Sequence, residues 1–146
     1  MILSKRCLHG LRAVLYLTLQ PEGRGYVPIS EIARELKIPF HFLTKILKDL
    51  GDEGLVGSAR GASGGVKLEV PAGELTVQAV IESIEGTDFF TGCILGFHQC
   101  SESSPCALHD RWLRVRTEIE RMFAGERMDT LAERIREEDL RLFEGA

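Results

Sequence analysis

The run Arg60-Gly61-Ala62-Ser63-Gly64-Gly65 limits the fold of this chain more than any other stretch. Three glycines in so short a span make a helix unfavourable and a turn the natural outcome. Before it, Leu55, Val56 and Gly57 begin an extended segment; after it, Val66, Leu68 and Val70 alternate with Lys67 and Glu69 as a half-buried strand does. The pattern predicts a two-stranded ribbon with a flexible basic tip. A nucleotide-binding loop also uses glycines, but here the Gly-Lys-Ser/Thr ending is missing and no helix starts afterwards.

Two short helices precede the ribbon. Ser30 is placed to cap a helix over 31–37, Ile38-Pro39 breaks the chain, and a second helix follows over 40–53. In that second helix Leu43, Ile46, Leu47 and Leu50 form one buried stripe, and His41, Thr44, Lys45 and Lys48 form the opposite, polar one. A solvated helix face would look the same in isolation. Followed by the ribbon, however, the pattern is a winged helix-turn-helix, whose second helix enters the major groove while Arg60 reaches a narrow minor groove. The expected DNA-facing residues are Phe40, His41, Thr44, Lys45, Lys48, Arg60, Gly64 and Gly65.

Charge agrees with that placement. The net charge of −4 by itself argues against nucleic acid. Residues 1–70, however, carry ten Lys or Arg against seven Asp or Glu, while 71–146 carry eight, all Arg, against fifteen. A basic end is joined to an acidic remainder.

A second constellation lies at Cys93, Cys100, Cys106 and His109, spaced Cys-x6-Cys-x5-Cys-x2-His among Gly92, Gly96, Ser101, Ser103, Ser104 and Pro105. That composition favours a loop, which can bend thiolates towards one point. With a helix beginning at Cys106, His109 would lie along the same face. Three readings compete: free thiols in a reducing compartment, structural zinc, and an iron-sulfur cluster. Zinc sites usually show Cys pairs about two to four residues apart, and no such pair exists here. Cysteines on longer loops can hold a cluster, whose inorganic core spans more space than one ion. Spacing alone leaves zinc and cluster level.

The remaining elements frame these two. With 44% apolar residues in 146, the chain is long enough to bury one core. The first helix is expected over 5–19, capped by Ser4, with Leu8, Leu11, Val14, Leu15, Tyr16 and Leu19 apolar. Cys7 in it reads as a small core residue, with a minor option that Cys7 or His9 reaches a metal. Thr76 caps a helix over 77–84 that Gly86 stops, and a long helix over 106–123 follows the loop. Its apolar residues Leu108, Trp112, Leu113, Val115, Ile119, Met122 and Phe123 exceed what its own chain would cover, so a homodimer is expected, matching the two-fold symmetry of palindromic operators. A charged, peripheral helix is expected from Thr130 to Phe143. Arg12 and Thr18 interrupt the first apolar stretch, no cleavage site follows it, and no long apolar run exists. A cytoplasmic protein without a membrane span is expected.

The winged helix, the Arg60-Gly-Ala-Ser-Gly-Gly tip, the Cys-rich loop and the long helix together resemble the bacterial iron-sulfur regulators typified by IscR and NsrR. The opening Met1-Ile2-Leu3-Ser4-Lys5 and Leu11-Arg12-Ala13 are similar too, and the resemblance covers nearly the whole chain. It implies a non-enzymatic DNA-binding transcription regulator controlled by a cluster on Cys93, Cys100 and Cys106, with His109 completing the set as in the IscR branch. Two departures stand out. The first Cys interval has one more residue than in the best-known members, and the first helix has no carboxylate near Cys7-Leu8-His9 of the kind some nitric-oxide sensors use. The resemblance thus favours a two-iron (2Fe-2S) cluster, with a four-iron (4Fe-4S) cluster using Cys7 or His9 as the alternative. The competing functions are a small redox or electron-transfer protein and a zinc-stabilised winged-helix regulator. The fold expected is mainly α with a small β-wing. A winged helix-turn-helix occupies 1–72, a connecting helix and cluster loop 73–105, and a dimerisation helix with a C-terminal helical segment 106–146.

Overall fold

Residues 2–142 are described by a computed structural model. Its order is α1 (Lys5–Thr18), α2 (Ile29–Leu36), α3 (Phe40–Asp52), β1 (Val56–Ala59), β2 (Gly65–Leu68), α4 (Val77–Glu85), α5 (His109–Gly125) and α6 (Met128–Glu137). The mainly helical fold with a small antiparallel wing is the one the sequence predicts.

Local chemistry explains most of the boundaries. The Ser4 side chain accepts a hydrogen bond from the Cys7 N–H at 3.1 Å, and the Thr76 side chain accepts one from Ala79 at 3.1 Å. At the end of α4, Gly86 turns the chain with φ of 91°. α2 departs from expectation at both ends. It starts at Ile29, because the Pro28 carbonyl takes the N–H groups of Glu31 and Ile32, so Ser30 lies inside the first turn rather than capping it. It stops before Lys37, which adopts a left-handed φ of 54° while the Ile38 N–H bonds the Ala33 carbonyl at 2.9 Å. That is a Schellman closure, and buried Ile38 is its apolar anchor.

The wing pairs Val56 with Leu68, Gly57 with Lys67, Ser58 with Val66 and Ala59 with Gly65. Val27 adds a third edge by exchanging both hydrogen bonds with Val66 at 2.8 and 2.9 Å. This approach dictates the residue at 65. A Cβ there would lie 2.1 Å from the Val27 carbonyl oxygen, and φ is already 146°.

The core lies where α1 crosses α3 and α4. Val14, Ile32, Leu36, Leu43, Ile46, Leu50, Val80 and Ile81 are fully buried, each worth about 1.5–3 kcal/mol in transfer free energy. Gly10 lets Ile84 of α4 and Ile46 of α3 close over α1. Arg6 pairs with Asp49, and the Tyr16 hydroxyl donates to Glu31 at 2.8 Å, so α1 also holds α3 and α2 by polar contacts.

The C-terminal part differs from expectation. α5 starts at His109, not Cys106, because the residues after Pro105 form a turn closed by the His109 N–H on the Cys106 carbonyl at 3.0 Å. α6 runs from Met128 to Glu137; the expected helix extended to Phe143, which lies outside the described residues. Nor is α6 peripheral. Met128 and Ala132 are fully buried, and Arg136 donates to the Thr18 carbonyl at 3.2 Å, capping the end of α1.

Two substitutions test the backbone argument in opposite directions. Gly65→Ala should lower stability by about 1–3 kcal/mol through strain and the clash with Val27. Lys37→Gly should raise it by about 1 kcal/mol, because glycine adopts the left-handed conformation freely. Urea-unfolding midpoints that fail to move in these directions would contradict the backbone account.

Candidate metal centre and nucleic-acid interface

After α4, residues Thr87–Phe90 form a single 3-10 turn with Phe90 buried against the core. The turn delivers Thr91, Gly92 and Cys93 beside α5, and the loop returns to the start of α5 through Pro105. The four candidate ligands meet as two pairs. The Cys93 and Cys106 sulfurs are 3.9 Å apart, and the Cys100 sulfur lies 3.4 Å from His109 Nδ1. This differs from the expected pairing of Cys106 with His109 along one helix. Cys106 sits before the helix, so its sulfur is free to turn to Cys93 while His109 faces Cys100.

The surroundings fit thiolate chemistry. The backbone N–H of Phe97, with those of Leu95 and Gly96 and the Cys106 side chain, holds the Cys93 thiol below its ordinary range. N–H groups aimed at a sulfur are the kind of surrounding contact that tunes cluster ligands. His109 is buried and its Nε2 has no hydrogen-bond partner, an uncompensated polar atom in an otherwise satisfied site. Among the described residues no three His, Cys, Asp or Glu side chains converge as ligands of one metal ion. The donor set is therefore spread as two pairs rather than gathered on a single point.

Cys7 does not join it. The residue is fully buried in α1, and its thiol is pushed up to about 12 by burial, with the Glu85 carboxylate adding to the effect. His9 is half-buried with its ring edge-on to Phe42, and burial, then Arg12 and Lys5, hold its pKa down.

The second candidate surface is the outer face of α3. Phe40 opens the helix and is 46% exposed, with the exposed His41 ring against it. Thr44 donates its hydroxyl to the Phe40 carbonyl at 2.8 Å. Lys45 is exposed, and Lys48 pairs with Asp52 at 2.6 Å, both side chains largely in solvent. Arg60 is exposed at the wing tip. Gly64 and Gly65 have an internal role, since a side chain on either would strike backbone atoms of Ala59 or Val27. Lys67 is occupied over the Tyr26 ring, 5.0 Å from its centre.

Sequence reasoning missed Trp112 and Arg116 as polar groups of the site. The Trp112 Nε1–H donates to the Gly92 carbonyl at 2.9 Å, and Arg116 donates to Thr91 at 2.9 Å and Gly92 at 3.1 Å. The available signal was spacing: His109, Trp112 and Arg116 recur at intervals that share a helix face.

The Rrf2 family, described as iron-dependent transcriptional regulators, matches residues 3–134. A protein of Aquifex aeolicus assigned as an HTH-type transcriptional regulator is 32% identical over 145 residues, spanning 98% of this chain and 97% of that protein. The HTH-type transcriptional regulator IscR of Serratia proteamaculans is 30% identical over 140 residues, spanning 96% of this chain and 82% of that protein. In three dimensions the chain resembles CymR of B. subtilis, described as a global cysteine regulator. The TM-score is 0.76 at 24% identity, over 90% of this chain and 95% of that one, a likeness of fold. No helix among the described residues is long and apolar enough to cross a membrane.

The four thiols should divide three to one. In metal-free reduced protein at pH 8, iodoacetamide should label Cys93, Cys100 and Cys106 and spare Cys7 until the chain is unfolded, because the thiolate is the nucleophile. Peptide mass spectrometry that finds Cys7 labelled as fast as the loop would contradict its placement.

Proposed function

We propose, because this chain belongs to the Rrf2 family of transcriptional regulators, that its grip on an operator is set by an iron-sulfur cluster held by Cys93, Cys100, Cys106 and His109. A member of that family is a DNA-binding regulator rather than an enzyme. The observation that carries the proposal is the pairing of Cys93 with Cys106 and of Cys100 with His109 beside the first turn of α5. Two pairs suit a two-iron (2Fe-2S) core better than a single zinc ion. With Cys7 buried and its thiol held protonated, the loop set needs no ligand from α1.

A bound cluster supplies a centre whose charge and ligand geometry change with oxidation state. The chain's own residues do the rest. Cys106 lies one turn before α5 and its carbonyl takes the His109 N–H, so displacing Cys106 shifts the start of that helix. Leu108, Val115 and Met122 leave α5 exposed along one side, and a second copy in a two-fold dimer would cover them. Such a dimer sets two α3 helices at the spacing of successive major grooves on a palindromic operator in the bacterial cytoplasm. Lys45 and Lys48 then neutralise phosphates. Lys48 loses little by leaving Asp52, since an exposed pair is worth about 0–1 kcal/mol. Thr44, its proton committed to Phe40, meets bases as an acceptor alongside His41. Arg60 enters the minor groove. Differential contacts of the loop in two dimer arrangements supply the coupling, about 1–3 kcal/mol for a typical allosteric pair.

A second reading draws on the 3.9 Å between Cys93 and Cys106. As a metal-free dithiol, the pair would be oxidised by hydrogen peroxide to a disulfide, the O–O bond breaking and the two thiol protons leaving with its oxygens as two waters. Cys100 lies outside that pair, which separates the two readings.

Cys100→Ala should abolish the visible absorption of the anaerobic protein and its response to loading. An unaltered spectrum, or regulation retained through Cys93 and Cys106 alone, would overturn the cluster reading. Arg60→Ala should relax base preference at the outer minor-groove positions of the operator, which selection from a randomised duplex would measure; an unchanged profile would remove Arg60 from the interface.

A further inference from the structure

We infer that Trp112 and Arg116 form a clamp that makes the Cys loop and the first turns of α5 move as one rigid unit. The inference rests on the cluster reading only for the signal it would carry. The geometry stands without it. Both side chains converge on one carbonyl, that of Gly92, with Trp112 Nε1 at 2.9 Å and Arg116 Nη1 at 3.1 Å; Arg116 Nη1 also reaches the Thr91 carbonyl at 2.9 Å. These are the two residues just before Cys93. Trp112 and Arg116 lie one turn apart on the same face of α5, so the three bonds fix the approach to Cys93 against a rigid surface.

The other end of the loop is tied to the same helix. The His109 N–H bonds the Cys106 carbonyl at 3.0 Å. The backbone on the approach to Cys93 and at Cys106 is therefore fastened to α5 at both ends of the loop, and neither segment of backbone can be displaced without moving α5 or breaking these bonds. Cys93, Trp112 and Arg116 also line one cavity of about 400 Å³, together with Phe90 and Ile119. Among the described residues Arg116 makes no ion pair with an acid. Its Nη1 group is committed to the loop instead.

Below the clamp the path continues through packed rings. Phe90, the residue before Thr91, lies edge-on to Phe123 of α5 with ring centres 6.2 Å apart. α5 packs on α4, and α4 packs on α1 and α3. Both residues are positioning residues: they act on the loop backbone, and α5 carries the displacement towards the recognition helix.

Amide hydrogen exchange on the full-length, metal-free, reduced protein tests the clamp directly. In Arg116→Met and in Trp112→Phe, exchange of the Thr91 and Gly96 amides, which bond the Asp88 and Cys93 carbonyls at 3.1 and 3.0 Å, should rise about five- to tenfold, the factor that follows from losing one or two hydrogen bonds. Arg116→Lys, which keeps one donor group, should recover most of the protection, and amides of α2 and α3 should be unchanged. Unaltered exchange at Thr91 and Gly96 in variants with wild-type circular dichroism would overturn the clamp. Should Arg116→Met lose helical signal, Trp112→Phe, which keeps an aromatic ring in place, decides alone. A second arm compares duplex affinity of cluster-loaded and metal-free protein: the ratio should fall towards one in both variants while metal-free affinity stays within about twofold. A full wild-type ratio would sink the clamp as a transmitting unit. A wild type that takes up no cluster would sink the cluster reading, and the exchange result would still decide the clamp.

Discussion

The contact on which the site depends is the one between the Cys loop and the opening of α5. The turn through Ala107 and Leu108, closed by the His109 N–H on the Cys106 carbonyl, leaves Cys106 free to face Cys93 while His109 faces Cys100. Had α5 begun at Cys106, that cysteine and His109 would have been fixed on one helical face. The delayed start lets one loop present two pairs. It also leaves the Cys106 carbonyl available to the His109 N–H, which ties loop and helix together.

A second constraint joins this end of the molecule to the basic end. Gly10 removes a side chain where Ile84 of α4 and Ile46 of α3 approach α1, so the helix below the site and the outward helix of the winged domain touch through a close-packed junction. Close-packed contacts transmit displacement because they tolerate little change in volume. Excess basic charge lies in the half that contains α3 and the wing, and the acidic excess lies in the half that contains the loop and α5. Repulsion between the acidic half and phosphate favours approach by the basic face.

Much of this was legible in the residues. α1, α3 and α4 follow from apolar stripes and caps, and the wing follows from glycines flanked by alternating strands. Elements fixed by distant partners were not legible. Val27 joins the sheet only because Val66 folds back onto it, and Ser30 lost its expected capping role because Pro28 sits ahead of it. α6 looked peripheral because its Glu and Arg residues dominate the sequence, whereas Met128 and Ala132 bury the face that matters. In the loop, spacing named the four candidate ligands but not their partners. Pairing depends on where a helix begins, and boundaries are what periodicity determines least well. The donors of Trp112 and Arg116 were invisible for the same reason: their acceptors are backbone carbonyls, which every residue carries.

The central claim is that a cluster in the loop governs how tightly the amino-terminal half holds its operator. The most direct measurement is the operator affinity of protein purified without air, with iron and labile sulfide counted per chain, before and after the metal is removed. The account predicts about two irons and two sulfides per chain, and affinities that differ between the two forms by about 5- to 150-fold. Protein that carries neither iron nor sulfide yet binds fully, or two forms that bind equally, would contradict it.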